Sequence, residues 1–143
     1  MISQTLFAVA DTDEKPINTG TLFDISKDEI NLVSVDGYRL AKRSEKITAV
    51  TTPIKFVVPG KTLNEILKLI PDSEDEINIS IGKKHIIFKT ENYSIISRLL
   101  EGDFLDYNSA IPSDKTTELI VKTKDFIESV ERASLVINDR LKS

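Results

Sequence analysis

The chain has 143 residues, 40% of them hydrophobic and 29% charged, with a formal net charge of −4 and no cysteine. That length suits one domain, or one domain and part of another, with enough apolar residues for a real core. The composition excludes a disulfide framework and a thiolate metal site, offers no apolar run near the ~20 residues of a membrane helix, and argues against a protein that simply coats nucleic acid, though an acidic body can still carry a local basic face. No signal-peptide pattern opens the sequence, and a cytoplasmic location is the expectation.

In residues 1–10, Ile2, Leu6 and Val9 fall at helical spacing with nothing ahead to cap the turn, and residues 11–16 break it. Residues 21–25 read as a strand, 26–28 as a polar turn, and 29–35 as a second strand in which Ile30, Leu32 and, less cleanly, Ser34 alternate. Asp36-Gly37 predicts a type I′ turn, because both central positions of that turn need positive φ. Arg39 is then expected just past the turn, in a returning strand that runs to about residue 47, with apolar Leu40 beside it. Residues 48–53 form a loop, and 54–58 a strand ended by Pro59-Gly60.

Residues 61–70 carry the strongest helix signal. Thr62 and Glu65 have the spacing of a capping box, which would satisfy two orphan amide donors. Leu63, Ile66, Leu67 and Ile70 make an apolar stripe, and Lys61, Asn64 and Lys68 a polar one. Pro71 stops the helix. Three strands follow at 76–81, 85–90 and 93–100, and the alternation of Ile77, Ile79 and Ile81 predicts one buried face. Residues 101–112 are irregular, anchored by Phe104, Leu105 and Tyr107. Residues 116–122 read as a strand, after which Thr123 caps a helix with Phe126, Ile127, Val130 and Ala133 or Ser134 on one face; a polar tail follows. Few helices among many hairpins predict an α+β fold, its sheet mostly antiparallel and its helices packed on one face.

Chemistry is sparse. Val58-Pro59-Gly60-Lys61-Thr62 resembles the end of a phosphate-binding loop, but Lys55 stands where that motif needs its first glycine, so the backbone cradle cannot form. His85 is the single histidine, and no nucleophile elbow or metal-ligand spacing accompanies it. The acidic run 73–76 reads as a solvated turn. A small hydrolase or transferase with an unrecognised carboxylate site stays open as the alternative. Lys61 and Lys68 share a helix face that could meet a phosphate backbone as point charges, or simply be solvated.

The wording of several stretches points further. Val35-Asp36-Gly37-Tyr38-Arg39-Leu40-Ala41 resembles the Asp-Gly-His-Arg-Leu-Ala run of the bacterial DNA sliding clamp, the β subunit of DNA polymerase III. The resemblance extends through Gln4-Thr5-Leu6-Phe7-Ala8-Val9, Lys15-Pro16-Ile17-Asn18-Thr19-Gly20 and Val57-Val58-Pro59-Gly60-Lys61-Thr62-Leu63. It continues through Ser97-Arg98-Leu99-Leu100-Glu101-Gly102-Asp103-Phe104 to Glu131-Arg132-Ala133-Ser134-Leu135, in the family's order and spacing, with the flavour of Gram-positive clamps.

That resemblance implies a DNA-clamp fold and a non-catalytic processivity factor without cofactors. In the family, two three-domain subunits close a ring that slides on duplex DNA. Residues 1–112 would be the middle domain, lacking its first strand and part of its first helix. Residues 113–143 would be the first strand and helix of the third domain, expected to dock into the vacant place in one chain or by exchange. The implied partners are duplex DNA for the full-length protein, the polymerase III catalytic subunit, the clamp loader, repair proteins with clamp-binding motifs, and a second subunit. The family's peptide groove maps onto Val35, Gly37, Tyr38, Arg39, Leu40, Leu105, Ser109 and Ala110, where an apolar pocket beside a fixed cation is expected. Asn18, Tyr38 and Leu105 depart from the family's usual apolar residue, histidine and proline. The DNA-facing positions would be Lys15, Lys61 and Lys68.

Overall fold

Strand β1 (Gly20–Ile25) is central to the larger of two sheets. The computed structural model describes residues 1–12, 15–48, 52–70, 76–114 and 116–136. It divides into two units, Met1–Tyr107 and Asn108–Ser143. In the first unit, β2 (Glu29–Val35), β3 (Leu40–Lys46) and β4 (Ile54–Pro59) join β1 in the antiparallel order β3-β2-β1-β4. A second antiparallel sheet follows the order β5 (Asn78–Ile81), β6 (His85–Lys89), β7 (Ser94–Arg98). The Leu100 amide donates to the Val57 carbonyl at 2.9 Å, tying the chain after β7 back to β4.

Strands β1 and β2 and the middle of β4 are buried on both sides, while most of β3 is exposed. On one side, Phe23 and Phe56 face each other across β1 and β4 with ring centroids 5.2 Å apart. Such stacked pairs add about 0.5–1.5 kcal/mol beyond the area they bury. Leu32, Val58, Ile86 and Phe88 complete that cluster with Leu63 and Ile66 of helix α1 (Gly60–Leu69). On the other, Leu22, Val33, Val57, Ile17 and Tyr107 form a second cluster. Leu32, Val33, Ser34 and Val35 are therefore all buried, in place of the one-sided alternation the sequence suggests. Ser34 is tolerated because its hydroxyl pairs with that of Thr21 at 2.9 Å, as a buried polar group requires.

Several local expectations give way to side-chain competition. Residues 2–8 form two 3-10 turns, Ile2–Gln4 and Leu6–Ala8, rather than one helix. Between them the buried Thr5 hydroxyl turns back on the carbonyls of Met1 and Ile2, the kind of bond that competes with helical propagation. Helix α1 starts at Gly60, one residue early, and no side chain caps it. Thr62 is thus the third helical residue. Its hydroxyl bonds Ser97 on β7 at 2.7 Å while Glu65 accepts from Lys68 at 2.7 Å, so the capping box does not form. Ile77, just before β5, and Ile81 at its end pack on the core, but Ile79 is 43% exposed.

In the second unit, helix α3 (Thr123–Ser134) is held by its own polar groups. Ser129 donates to the Asp125 carbonyl, and Lys124 and Arg132 flank Glu128 one turn away on either side. Lys122, not Thr123, occupies the cap position, and no side chain caps there. The strand expected over 116–122 is absent: those residues are coil, with Leu119, Ile120 and Val121 exposed. A strand needs a neighbouring strand for its amides and carbonyls, and neither sheet of the described residues includes this segment. The apolar stripe Phe126, Ile127 and Val130 is present on α3 and exposed. Pro71, the acidic turn 73–75, parts of the loop at 48–53 and the tail beyond 136 lie outside the described residues.

Candidate functional site

The tip of the β2–β3 hairpin is built by one carboxylate. The ladder ends at the pair Val35–Leu40, so residues 36–39 make the turn, with Gly37 and Tyr38 at its centre. This is one position later than Asp36-Gly37 predicts, and Arg39 lies in the turn rather than in β3. The cause is Asp36: its Oδ1 accepts the amides of Tyr38 and Arg39, both at 3.1 Å. Asp36 therefore stands at the corner as an Asx turn, and Gly37 takes the strained place with φ +92°.

Asp36 Oδ2 accepts from Arg39 Nε at 2.6 Å. The Tyr38 amide, opposed by slight desolvation and joined by the Arg39 amide and guanidinium, holds the Asp36 carboxyl below the ordinary value of 3.8. The guanidinium also lies 5.9 Å over the ring of Phe7, within reach of a cation–π attraction. Phe7 is 61% and Tyr38 fully exposed. Arg39 is thus an open side chain in a held position. Below it Val35 is buried, and Leu40 packs on the Ile17, Val33 and Tyr107 cluster. Sequence reasoning missed Phe7 and the role of Asp36; the three-residue spacing from Asp36 to Arg39 was the available signal.

A hollow beside this tip mixes polar and apolar lining. It encloses about 290 Å³ and is lined by Ala10, Thr12, Lys15, Asn18, Asp36 and Gly37. Asn18 is one of its polar residues, with Thr12, Lys15 and Asp36. Lys15, expected to face DNA, also lines this hollow. Lys61 and Lys68 are exposed on α1, and Lys68 is paired with Glu65 at 2.7 Å. Leu105 lines a different hollow of about 500 Å³, with an apolar floor of Phe56, Val57, Leu100 and Phe104. Lys84 and Glu101 pair at 3.1 Å on its rim, and that hydrogen bond draws the Glu101 carboxyl below its ordinary 4.5. Ser109 and Ala110 fall in the second unit, on the short helix α2 (Tyr107–Ala110).

One further polar cluster was invisible in the sequence. Buried Tyr107 donates its hydroxyl to Asp24 Oδ2 at 2.8 Å, and Lys55 Nζ meets the same oxygen at 2.8 Å. Lys42 Nζ sits 5.3 Å from the Tyr107 ring centre. The cluster anchors the segment after β7 onto the sheet. His85 is exposed at the start of β6, opposite Arg98 of β7 rather than a pair of acids. Among the described residues no group of three or more His, Asp or Glu could hold a metal ion.

Residues 1–106 match the family model described as DNA polymerase III beta subunit, central domain. The chain is 36% identical over 140 residues to the beta sliding clamp of Bacillus subtilis, covering 97% of this chain and 37% of that protein. It is 32% identical over 139 residues to the beta sliding clamp of Staphylococcus aureus, with the same coverage. Among solved structures, it is similar to a putative DNA polymerase III beta subunit from Eubacterium rectale, with a TM-score of 0.92 at 36% identity over 96% of this chain and 38% of the other. The sliding clamp of Bacillus subtilis gives a TM-score of 0.92 at 37% identity, covering 96% and 37%. The chain thus spans about 37% of the length of the curated relatives it matches. The antiparallel sheets, the exposed arginine hairpin and these matches lead to one assignment: the chain belongs to the DNA polymerase III beta subunit family, and its first 106 residues are that family's central domain.

Proposed function

We propose that this chain is part of a sliding clamp, a non-catalytic processivity factor that encircles duplex DNA as a ring of subunits and tethers the polymerase to it. Residues 1–112 are its middle domain and 113–143 the opening of the next. The family model stops at 106 while similarity to whole clamps runs over 140 residues, which supports that division. Residues 116–136 serve the neighbouring fold, in the same chain or another, through the apolar side chains of Leu119, Ile120, Phe126 and Ile127. The protein works in the cytoplasm on the nucleoid. Its partners are the polymerase III catalytic subunit, the clamp loader, repair proteins carrying clamp-binding peptides, and a second copy of itself.

The hairpin tip carries this reading. A fully exposed tyrosine beside a held arginine, above half-buried Leu40, suits recognition of a short peptide with apolar anchors. We place that groove at Val35, Gly37, Tyr38, Arg39 and Leu40, with Leu105 as further lining. DNA is met loosely through Lys15, Lys61 and Lys68, as point charges without sequence readout. Nothing in this scheme makes or breaks a covalent bond.

Titrating the 15N-labelled chain with a peptide of the polymerase clamp-binding type tests it. Amides of residues 35–41 are expected to shift first. Saturating shifts elsewhere, or none at millimolar peptide, would remove the hairpin from the docking surface.

A further inference from the structure

We propose that Asp36 and Phe7 are positioning residues of the hairpin tip, holding the Arg39 guanidinium so that its two terminal nitrogens offer a ready edge to uncharged main-chain carbonyls of a bound peptide. The inference rests on the docking reading above and adds the chemistry of the contact. Asp36 divides its oxygens: Oδ1 makes the turn through the Tyr38 and Arg39 amides, and Oδ2 takes the Arg39 Nε hydrogen. Phe7 supports one face of the guanidinium. The four hydrogens on the terminal nitrogens make no hydrogen bond among the described residues. A guanidinium stays protonated and presents its donors in a planar fork, so what remains is a donor edge of known direction.

The charge of that edge decides what it suits. Asp36, 2.6 Å from Nε, offsets the positive charge of Arg39. A second carboxylate would gain little attraction and would meet Asp36 close by. A peptide carbonyl carries no net charge, accepts two hydrogens, and avoids that repulsion. Arginine in water samples many rotamers, and ordering such a side chain on binding weakens affinity by about two- to tenfold. Here the ordering precedes the peptide.

The test uses the full chain and a synthetic peptide with apolar anchors, acetylated and amidated at its ends and bearing no charged side chain. Asp36→Asn is a clean perturbation: the amide oxygen still serves the Tyr38 and Arg39 amides, but the amide nitrogen cannot accept from Nε. Wild-type Kd is expected to be nearly flat between about 0.05 and 0.5 M salt, a range over which free ionic contacts are strongly screened. Asp36→Asn should raise Kd about two- to tenfold and speed water exchange of the Arg39 Nε proton; Phe7→Leu should do the same more weakly. A matching peptide with one aspartate should gain on Asp36→Asn, in a salt-dependent way, because the freed guanidinium then attracts it. Equal Kd for wild type and Asp36→Asn, or a salt-sensitive wild-type preference for the acidic peptide, overturns the proposal. If neither peptide moves any wild-type amide, the docking reading falls with it. The Nε exchange, read without peptide, then decides separately whether Asp36 holds Arg39.

Discussion

Replacing Tyr107 by phenylalanine should destabilise the first unit through the loss of one hydroxyl. That hydroxyl is buried and donates to Asp24 at 2.8 Å, across 83 residues of sequence. A hydrogen bond to a charged group contributes about 1.5–3 kcal/mol. Lys55 continues to satisfy the same carboxylate oxygen, and the ring still fills its place among Ile17, Leu22, Val33 and Val57. No orphaned charge and no cavity therefore follow, which sets the expected loss at the lower end, about 1.5 kcal/mol. Tyr107→Ala removes the ring as well, and should cost about 3–5 kcal/mol. Urea unfolding followed by circular dichroism reads both, with m unchanged if only the native contact is lost. A cycle with Asp24→Asn isolates the pair, and a coupling of about 1 kcal/mol is expected for groups in direct contact. Tyr107→Phe indistinguishable from wild type, or additive with Asp24→Asn, would refute the claim that this bond anchors the segment after β7.

Gly20→Ala should cost about 1–3 kcal/mol by overpacking, because the added Cβ would lie 2.5 Å from the Val58 carbonyl oxygen and 2.8 Å from side-chain atoms of Val57 and Leu100; thermal unfolding reads it, and an unchanged Tm contradicts the close approach. The Asp36 and Glu101 carboxyls both sit below their ordinary values. Each therefore adds stability that is present above its unfolded pKa and disappears as pH falls through the lower folded one. Carboxyl 13C titration should accordingly place each midpoint below the ordinary value of its own residue type, 3.8 for Asp36 and 4.5 for Glu101, and midpoints at those ordinary values would contradict the bonds described. Duplex DNA should give no anisotropy change at physiological salt with this chain, since Lys68 is paired with Glu65 and nonspecific contact needs several free cations. Tight, salt-resistant binding would overturn the assignment of Lys15, Lys61 and Lys68 to loose contact.

The turn, the helix and the cap show where local signals hold and where they fail. Asp36-Gly37 announces a tight turn because glycine alone enters positive φ freely, and the hairpin is there. Its register, and with it the place of Arg39, was decided by which amides the Asp36 side chain reached. Thr62 and Glu65 have the spacing of a capping box, yet Ser97, 35 residues away, offered Thr62 a better partner. Residues 116–122 have strand-like side chains and no strand, because pairing is supplied by a neighbour and not by the segment itself.

The sequence by itself determined the order of β1 to β4, α1 and β5 to β7, the α+β class, the presence of a tight hairpin at Asp36-Gly37, and, through its wording, the family. These depend on local backbone preference and on apolar periodicity, which a short window contains. Only the tertiary structure decided that β2 is buried on both faces, that Tyr107 locks onto Asp24 and Lys55, that Phe7 underlies Arg39, and that Lys15 and Asn18 share a hollow with Asp36. Each of those is a meeting of residues distant in sequence, and hydrogen bonds and burial are settled by who arrives in space, which no local pattern records.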